Sequence, residues 1–165
     1  MKKQLVSTIF ICLFPVLFTA CVSTILQGSP PSFSKEIKIQ APTGNFLATK
    51  NSIYPSWKNS KSGNVISIVS DCDPNSSYTL NSLHYIIEDA LANVKIIKEE
   101  NTNFQGKPAI YKKILADLDG HYIELQSISF KRKSCGYVST LSGKADTLEP
   151  DMQIFNQFNS GLTFE

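Results

Sequence analysis

The sequence predicts an α+β fold in which an antiparallel β-sheet is covered by two helices. Three observations support this class. The strand-like segments fall into two groups, a helical segment follows each group, and the dipeptide Asp119-Gly120 joins two of the segments as a tight hairpin. Strands that are gathered in runs pair as antiparallel neighbours, whereas strands that alternate with helices form parallel sheets.

The first group of strands is short and precedes a helix. Residues 36–40 alternate between apolar and polar side chains, residues 52–57 form an extended piece, and residues 64–70 are rich in β-branched apolar side chains. The last of these segments is typical of a buried central strand. Thr79 can cap a helix over residues 80–93, because apolar side chains recur there at helical spacing.

The second group is longer and ends in another helix. The predicted strands cover, in order, residues 94–103, 109–118, 121–130 and 136–142, with turns at residues 105–108 and 119–120. Residues 147–160 form the second predicted helix, since proline is tolerated in a first turn, as at Pro150, and Gly161 ends the apolar pattern.

The first twenty-one residues resemble the leader of a bacterial lipoprotein. Lys2 and Lys3 form a positive n-region, and residues 5–18 form an uncharged apolar run as long as a secretory h-region. The four residues from Phe18 to Cys21 match the lipobox, in which cleavage before the cysteine leaves a thiol that receives lipid. We therefore predict that Cys21 is lipidated and attaches the protein to a membrane.

Two alternatives to this interpretation stay open. The first is ordinary cleavage that releases a soluble protein: Phe18 stands where lipoboxes usually carry Leu, Val or Ile, although it suits ordinary signal-peptidase cleavage, which prefers small residues, even less. An uncleaved anchor is the second alternative, although Pro15 interrupts the apolar run. Val22 is not aspartate, the residue that commonly retains Gram-negative lipoproteins at the inner membrane. The expected location is therefore the periplasmic face of the outer membrane.

The predicted domain organisation has three parts. Residues 1–20 are a signal peptide, residues 21–34 a lipidated tether rich in Ser and Pro, and residues 35–165 a single α+β domain. Without the leader the chain carries fourteen basic and fourteen acidic residues, so it has no charge footprint for nucleic acid. The expected partners are the membrane, through the lipid on Cys21, and an envelope protein that the sequence does not identify.

Two cysteines remain after the leader is removed and Cys21 is lipidated, namely Cys72 and Cys135. An even pair in an oxidising compartment usually forms a disulfide, which is the prediction here. Two free buried thiols remain an alternative, as does a metal or redox role. A metal site would need further ligands beside His84 or His121. A redox role would need a Cys-x-x-Cys motif, which the sequence lacks.

The sequence lacks the common catalytic patterns. It contains no Gly-x-Ser-x-Gly, no His-Glu-x-x-His and no phosphate-binding glycine-rich loop. We expect His84 to be a half-exposed helix residue and His121 a surface residue. No catalytic, cofactor-binding or metal-binding residue is predicted, and the protein is not expected to be an enzyme.

Several segments resemble the PsbP-like superfamily. They are YPSW at residues 54–57, SLHYIIEDALANVKIIKEENTNFQGKPAIYKK at residues 82–113, LDGHY at residues 118–122, CGYVSTLSG at residues 135–143 and PDMQIFNQF at residues 150–158. The superfamily includes the extrinsic P protein of photosystem II, a nuclear-import factor that binds the GTPase Ran, and small bacterial envelope lipoproteins.

The resemblance implies a PsbP-like α/β sandwich that serves binding and assembly. It also implies that Cys72 and Cys135 meet, because the segments that contain them, SGNVISIVSDC and KSCGY, resemble a lineage of proteobacterial lipoproteins. The expected function is a non-catalytic binding or assembly module, anchored in the outer membrane and exposed to the periplasm. The alternative is a carrier that holds a small apolar or lipid-like ligand between helix and sheet.

Overall fold

The computed structural model describes residues 33–73 and 77–165 of the chain. The leader, the predicted lipidation site at Cys21 and most of the predicted tether lie outside the described residues, so their assignments stay predictions. Within the described ranges, no helix is long and apolar enough to cross a membrane.

The main element is a seven-stranded antiparallel sheet with the order β2-β3-β4-β8-β7-β6-β5. A separate antiparallel pair of short strands, β1 and β9, joins the first and last described segments. The α+β class with an antiparallel sheet is therefore confirmed. The strand bounds are β1 Ile37–Lys38, β2 Phe46–Ala48, β3 Ser56–Asn59, β4 Val65–Asp71, β5 Ala92–Phe104, β6 Lys107–Leu118, β7 His121–Arg132, β8 Cys135–Lys144 and β9 Thr163–Phe164.

Two-residue turns fix the register of the long strands. Gln105 and Gly106 join β5 to β6, and Asp119 and Gly120 join β6 to β7; all four residues have φ between 50° and 78°. Positive φ at both positions of such a turn matches the twist of the flanking strands. The hairpin predicted at Asp119-Gly120 is confirmed.

Strand β8 connects the two halves of the sheet, because it pairs with β4 on one side and with β7 on the other. Its side chains alternate between the two faces of the sheet. Tyr137 and Leu141 belong to the main core on one face, and Val138 lies on the opposite face; all three are fully buried. Burial on both faces makes β8 the central strand of the fold.

Two glycines of β8 allow other elements to approach the sheet closely. A Cβ atom on Gly136 would lie 2.3 Å from Leu83 Cδ2, and one on Gly143 would lie 2.0 Å from Asn64 Oδ1. Any larger residue at these positions would have to displace a buried neighbour.

The helical segment after β4 differs from the prediction. Instead of one helix over residues 80–93, the structure has two single turns, α1 (Leu80–Leu83) and α2 (Tyr85–Glu88). The longer helix is wrong because Ala92 already pairs with Asp117 in the ladder between β5 and β6. The long partner strand β6 takes up residues that the helical spacing alone assigned to a helix.

The last helix, α3 (Met152–Ser160), follows a single 3₁₀ turn at Glu149–Asp151. A buried carboxylate fixes its start: Asp151 accepts hydrogen bonds from Asn59 Nδ2 at 2.8 Å, Ser62 Oγ at 2.6 Å and Asn64 Nδ2 at 2.8 Å. These donors lie on β3 and on the turn into β4. The network therefore holds α3 against the β4 side of the sheet.

The helices contact opposite faces of the sheet but leave much of it open. Leu83 of α1 lies against Gly136, and α3 buries two phenylalanines in the core that contains Tyr137. Every residue of β5 except Phe104 is exposed. The prediction that two helices cover the sheet is therefore not confirmed.

Candidate functional site

The described residues do not form a metal centre. Within residues 33–73 and 77–165, no group of three His, Cys, Asp or Glu side chains is close enough to hold an ion. His121 begins β7, whereas Cys135 pairs with Arg132 at the other end of that strand. A twelve-residue strand thus separates the histidine from the cysteine that a metal site would have needed.

A disulfide joins the ends of β4 and β8. Cys72 follows β4 and Cys135 begins β8; their sulfur atoms are bonded and their Cα atoms are 4.2 Å apart. The two strands are already paired at Asp71 and Gly136, so the bond extends an existing ladder. The bond links β4, and with it the neighbouring strands β2 and β3, covalently to the central strand β8.

Ser34 ties the beginning of the described chain to the same place. Its N–H donates to Ser70 Oγ at 2.8 Å, and its hydroxyl accepts from Tyr137 OH at 2.9 Å. Its Oγ also lies 3.7 Å from Cys135 Sγ. Ser34, at the beginning of the described residues, is therefore held beside the disulfide.

His84 is fully buried, which corrects the expectation of a half-exposed residue. Its Nδ1 lies 3.1 Å from Ser127 Oγ. Burial, followed by the positive charge of Lys112, lowers the pKa of His84 from 6.5 to about 4, and a hydrogen bond with the backbone of Ile110 acts in the opposite direction. The ring is therefore neutral at pH 7, and it does not reach the solvent from which a general base would meet a substrate.

Lys112 is buried on the same face of the sheet, with 4% of its side chain exposed. Its Nζ lies 3.4 Å from Glu88 Oε1 and 3.3 Å from Glu99 Oε2. Two carboxylates thus compensate one buried ammonium, as burial of a charge requires. The cluster joins α2 to β5 and β6 and holds the helical turns on the sheet.

The more open candidate for function is the free edge of β5, which we define as residues 98–104 and call the β5 edge. β5 is the last strand of the sheet and pairs only with β6. The ladder is irregular around Ile96 but regular from Lys98 to Phe104. An uncovered strand edge of this kind is a template for another extended segment.

The turn between β5 and β6 shows which backbone groups face outward. In a two-residue hairpin the flanking residues, here Phe104 and Lys107, exchange hydrogen bonds, and hydrogen-bonded pairs then alternate along the ladder. The N–H and C=O groups of Glu99, Asn101 and Asn103 therefore point away from β6. The β5 edge offers three evenly spaced donor and acceptor pairs to a partner.

A second open feature lies at the opposite end of the sheet. A cleft of about 380 Å³, which we call the hairpin cleft, is formed by the loop between β2 and β3 together with Phe33. Trp57 lines it and also packs on Phe158, with ring centroids 5.4 Å apart. Burial, followed by the negative charge of Asp71, raises the pKa of Tyr54 in this cleft.

No protein-family model and no curated protein matches the sequence, but solved structures are similar to it. PA94 of Pseudomonas aeruginosa, a candidate regulator of unknown function, is 17% identical with a TM-score of 0.51 over 76% of this chain and 85% of that one. The cyanobacterial PsbP protein (CyanoP) of Synechocystis sp. PCC 6803 is 8% identical with a TM-score of 0.53 over 90% and 99% of the two chains.

The chain has a PsbP-like fold. A third structure, LpqN of Mycobacterium tuberculosis, has a TM-score of 0.50 at 11% identity, over 83% of this chain and 86% of that one. At these identities the likeness concerns the fold alone, and activity has to be argued from this chain's own surfaces.

Replacement of both Cys72 and Cys135 by serine should destabilise the domain. Because the bond closes a loop of 63 positions, we expect its loss to lower the free energy of unfolding by about 4 kcal/mol in the chain-entropy model. Urea unfolding of the variant, with the parent chain in the presence and absence of reductant as control, measures this. An unchanged midpoint would contradict the assigned role of the bond.

His84 should make stability depend on pH. Its pKa is about 4 in the folded chain against 6.5 for the free group, so the unfolded chain binds the extra proton between these values. We expect the free energy of unfolding to fall by about 2 to 3 kcal/mol between pH 7.5 and 4.5. The same substitution to asparagine at His84 and at exposed His121 provides the comparison. Only the His84 variant should flatten the profile, and equal profiles would refute the assignment.

Proposed function

We propose that the protein is a non-catalytic binding module, attached to the periplasmic face of the outer membrane by lipid on Cys21. The folded part binds an extended segment of another envelope protein along the β5 edge. This proposal joins the leader pattern of the sequence to the free strand of the fold.

The observation that carries the proposal is the β5 edge itself. It combines a regular ladder, outward N–H and C=O groups at Glu99, Asn101 and Asn103, and exposed side chains from residue 98 to residue 103. Main-chain hydrogen bonds along such an edge provide affinity, and alternate side chains provide specificity. Lys98 and Glu100, paired at 2.9 Å on the strand, would favour a partner strand that carries charges of both signs.

Two further points support the proposal, one for the envelope and one for a binding role. LpqN, which has a similar fold, is involved in cell envelope biogenesis in Mycobacterium tuberculosis. The buried His84 and the compensated Lys112 leave those groups enclosed in the fold. A binding role uses the open strand and requires neither group to react.

The carrier alternative would place an apolar ligand between helix and sheet. In the described part of the chain, that space is occupied by the side chains of Leu141, Phe155 and Phe158, which are all buried. The hairpin cleft lies elsewhere, at the loop between β2 and β3. The packing of the core therefore favours the binding module over the carrier.

Cys21→Ser should separate the protein from membranes. The thiol of Cys21 is the predicted point of acylation, and the acyl chains provide stable attachment. Fractionation of cells should find the parent protein with outer membranes and the variant in the unprocessed or soluble fraction. Cys12→Ser within the leader is the matched control and should leave attachment intact. Membrane attachment of the Cys21 variant equal to that of the parent would contradict lipidation.

Asn101→Pro should weaken partner binding without unfolding the domain. Proline removes the outward N–H of the β5 edge, a group that the ladder with β6 does not use, and edge strands tolerate proline. Asn101→Ala keeps the N–H and is the control. Crosslinking of lipidated protein in envelope membranes should recover the same partner with the parent and the alanine variant, and several-fold less with the proline variant. Equal recovery from all three would exclude the β5 edge as the binding site. Separately, turnover of a substrate by the purified domain would exclude a non-catalytic role.

A further inference from the structure

The hairpin formed by β2 and β3 carries exposed apolar side chains and lysines in its loop and on the face opposite Trp57. Leu47 of β2 is 65% exposed, and Ile53 in the following loop is 75% exposed. Lys50 lies in the same loop, and Lys58 of β3 is paired with Leu47. Large apolar side chains next to long cationic ones are typical of a surface that lies in the headgroup region of a membrane.

The segment that contains β2 and β3 carries only positive charges. Residues 37–70 contain four lysines and no acidic residue. Lys38 pairs with Glu165, whereas the ion pairs found among the described residues do not include Lys50, Lys58 or Lys61.

Negative charge reaches the hairpin cleft from outside this segment. After burial, the negative charge of Asp71 is what raises the pKa of Tyr54, whereas the hairpin itself, residues 46–59, carries Lys50 and Lys58 and no acidic residue. The excess of cations selects an anionic surface as the partner.

The beginning of the described chain lies at the same place. Phe33 lines the hairpin cleft, and Cys21 precedes it by twelve residues. A chain of that length spans at most about 40 Å when fully extended. A lipid on Cys21 would therefore hold the hairpin cleft within about 40 Å of the bilayer surface and raise its effective concentration there.

We propose that the hairpin formed by β2 and β3 docks on an anionic phospholipid bilayer as a second membrane contact. Leu47 and Ile53 enter the interface between headgroups and acyl chains, and the lysines contact lipid phosphates. The proposal rests on the proposed attachment through Cys21, which brings the hairpin to the membrane. It adds an orientation: the β2 end of the sheet faces lipid, and the β5 edge faces away.

Trp57 makes this proposal directly measurable, because it is the only tryptophan of the chain and lines the hairpin cleft. Residues 21–165 are purified without lipid, with the Cys72–Cys135 bond formed, and are coupled through Cys21 to vesicles that contain a maleimide lipid. The coupling makes the test independent of whether cells lipidate Cys21. The vesicles contain brominated phosphatidylcholine, with or without 30% phosphatidylglycerol.

The expected result is quenching of Trp57 fluorescence on vesicles with phosphatidylglycerol, reduced several-fold on neutral vesicles and in high salt. Leu47→Ser with Ile53→Ser should reduce the quenching to the neutral level, as should Lys50→Glu with Lys58→Glu. Ile96→Ser with Ile97→Ser, which makes the same change on exposed residues of β5, should leave the quenching unchanged.

Two results would overturn the proposal. One is Trp57 fluorescence that anchored vesicles do not quench, or that the hairpin and β5 variants alter equally. The other is a signal that follows the surface density of the protein instead of lipid charge, which would assign the hairpin cleft to a second copy of the chain. Failure of cells to lipidate Cys21 would leave the quenching intact, so the two proposals fail separately.

Discussion

The fold depends on one constraint, the burial of β8 between two strands and between two layers. β8 pairs along its length with β4 and β7, so that it joins the two halves into one continuous sheet. Gly136 and Gly143 leave room for Leu83 on one face and for Asn64 on the other. The disulfide at Cys135 strengthens the same strand at its first residue. The central strand thereby contributes much of the stability of the sheet. The two edge strands, β2 and β5, can therefore carry exposed apolar side chains.

The sequence predicts the centre of this fold well and its margins poorly. The Asp119-Gly120 hairpin and the buried strand before Cys72 follow from local patterns, namely a turn that needs positive φ and a run of β-branched side chains. Strand β2 (Phe46–Ala48) has three residues, too few for a period to show, and it exists because β3 pairs with it. The helix expected over residues 80–93 is a case in which the local pattern misleads. The apolar side chains have helical spacing, but the end of the segment pairs with β6 as a strand.

The candidate surfaces depend on tertiary order and could be predicted only in part. The segment that contains Lys98 and Asn101 is predicted as a strand, but its place at the edge follows from the order of all seven strands. The burial of His84 likewise depends on Ser127 and Lys112, which are distant in sequence. Leader and lipidation show the reverse case, because a linear pattern of residues predicts them without any fold.

We propose different partners for the two ends of one sheet: lipid for the hairpin between β2 and β3, and protein for the β5 edge. The most direct measurement places a photo-reactive phenylalanine analogue either at Ile53 or at Asn101 in the lipidated protein and irradiates native envelope membranes. We expect crosslinks to phospholipid from position 53 and to a specific protein from position 101. Protein crosslinks from position 53 together with lipid crosslinks from position 101 would contradict this proposal, as would the absence of any specific protein at position 101.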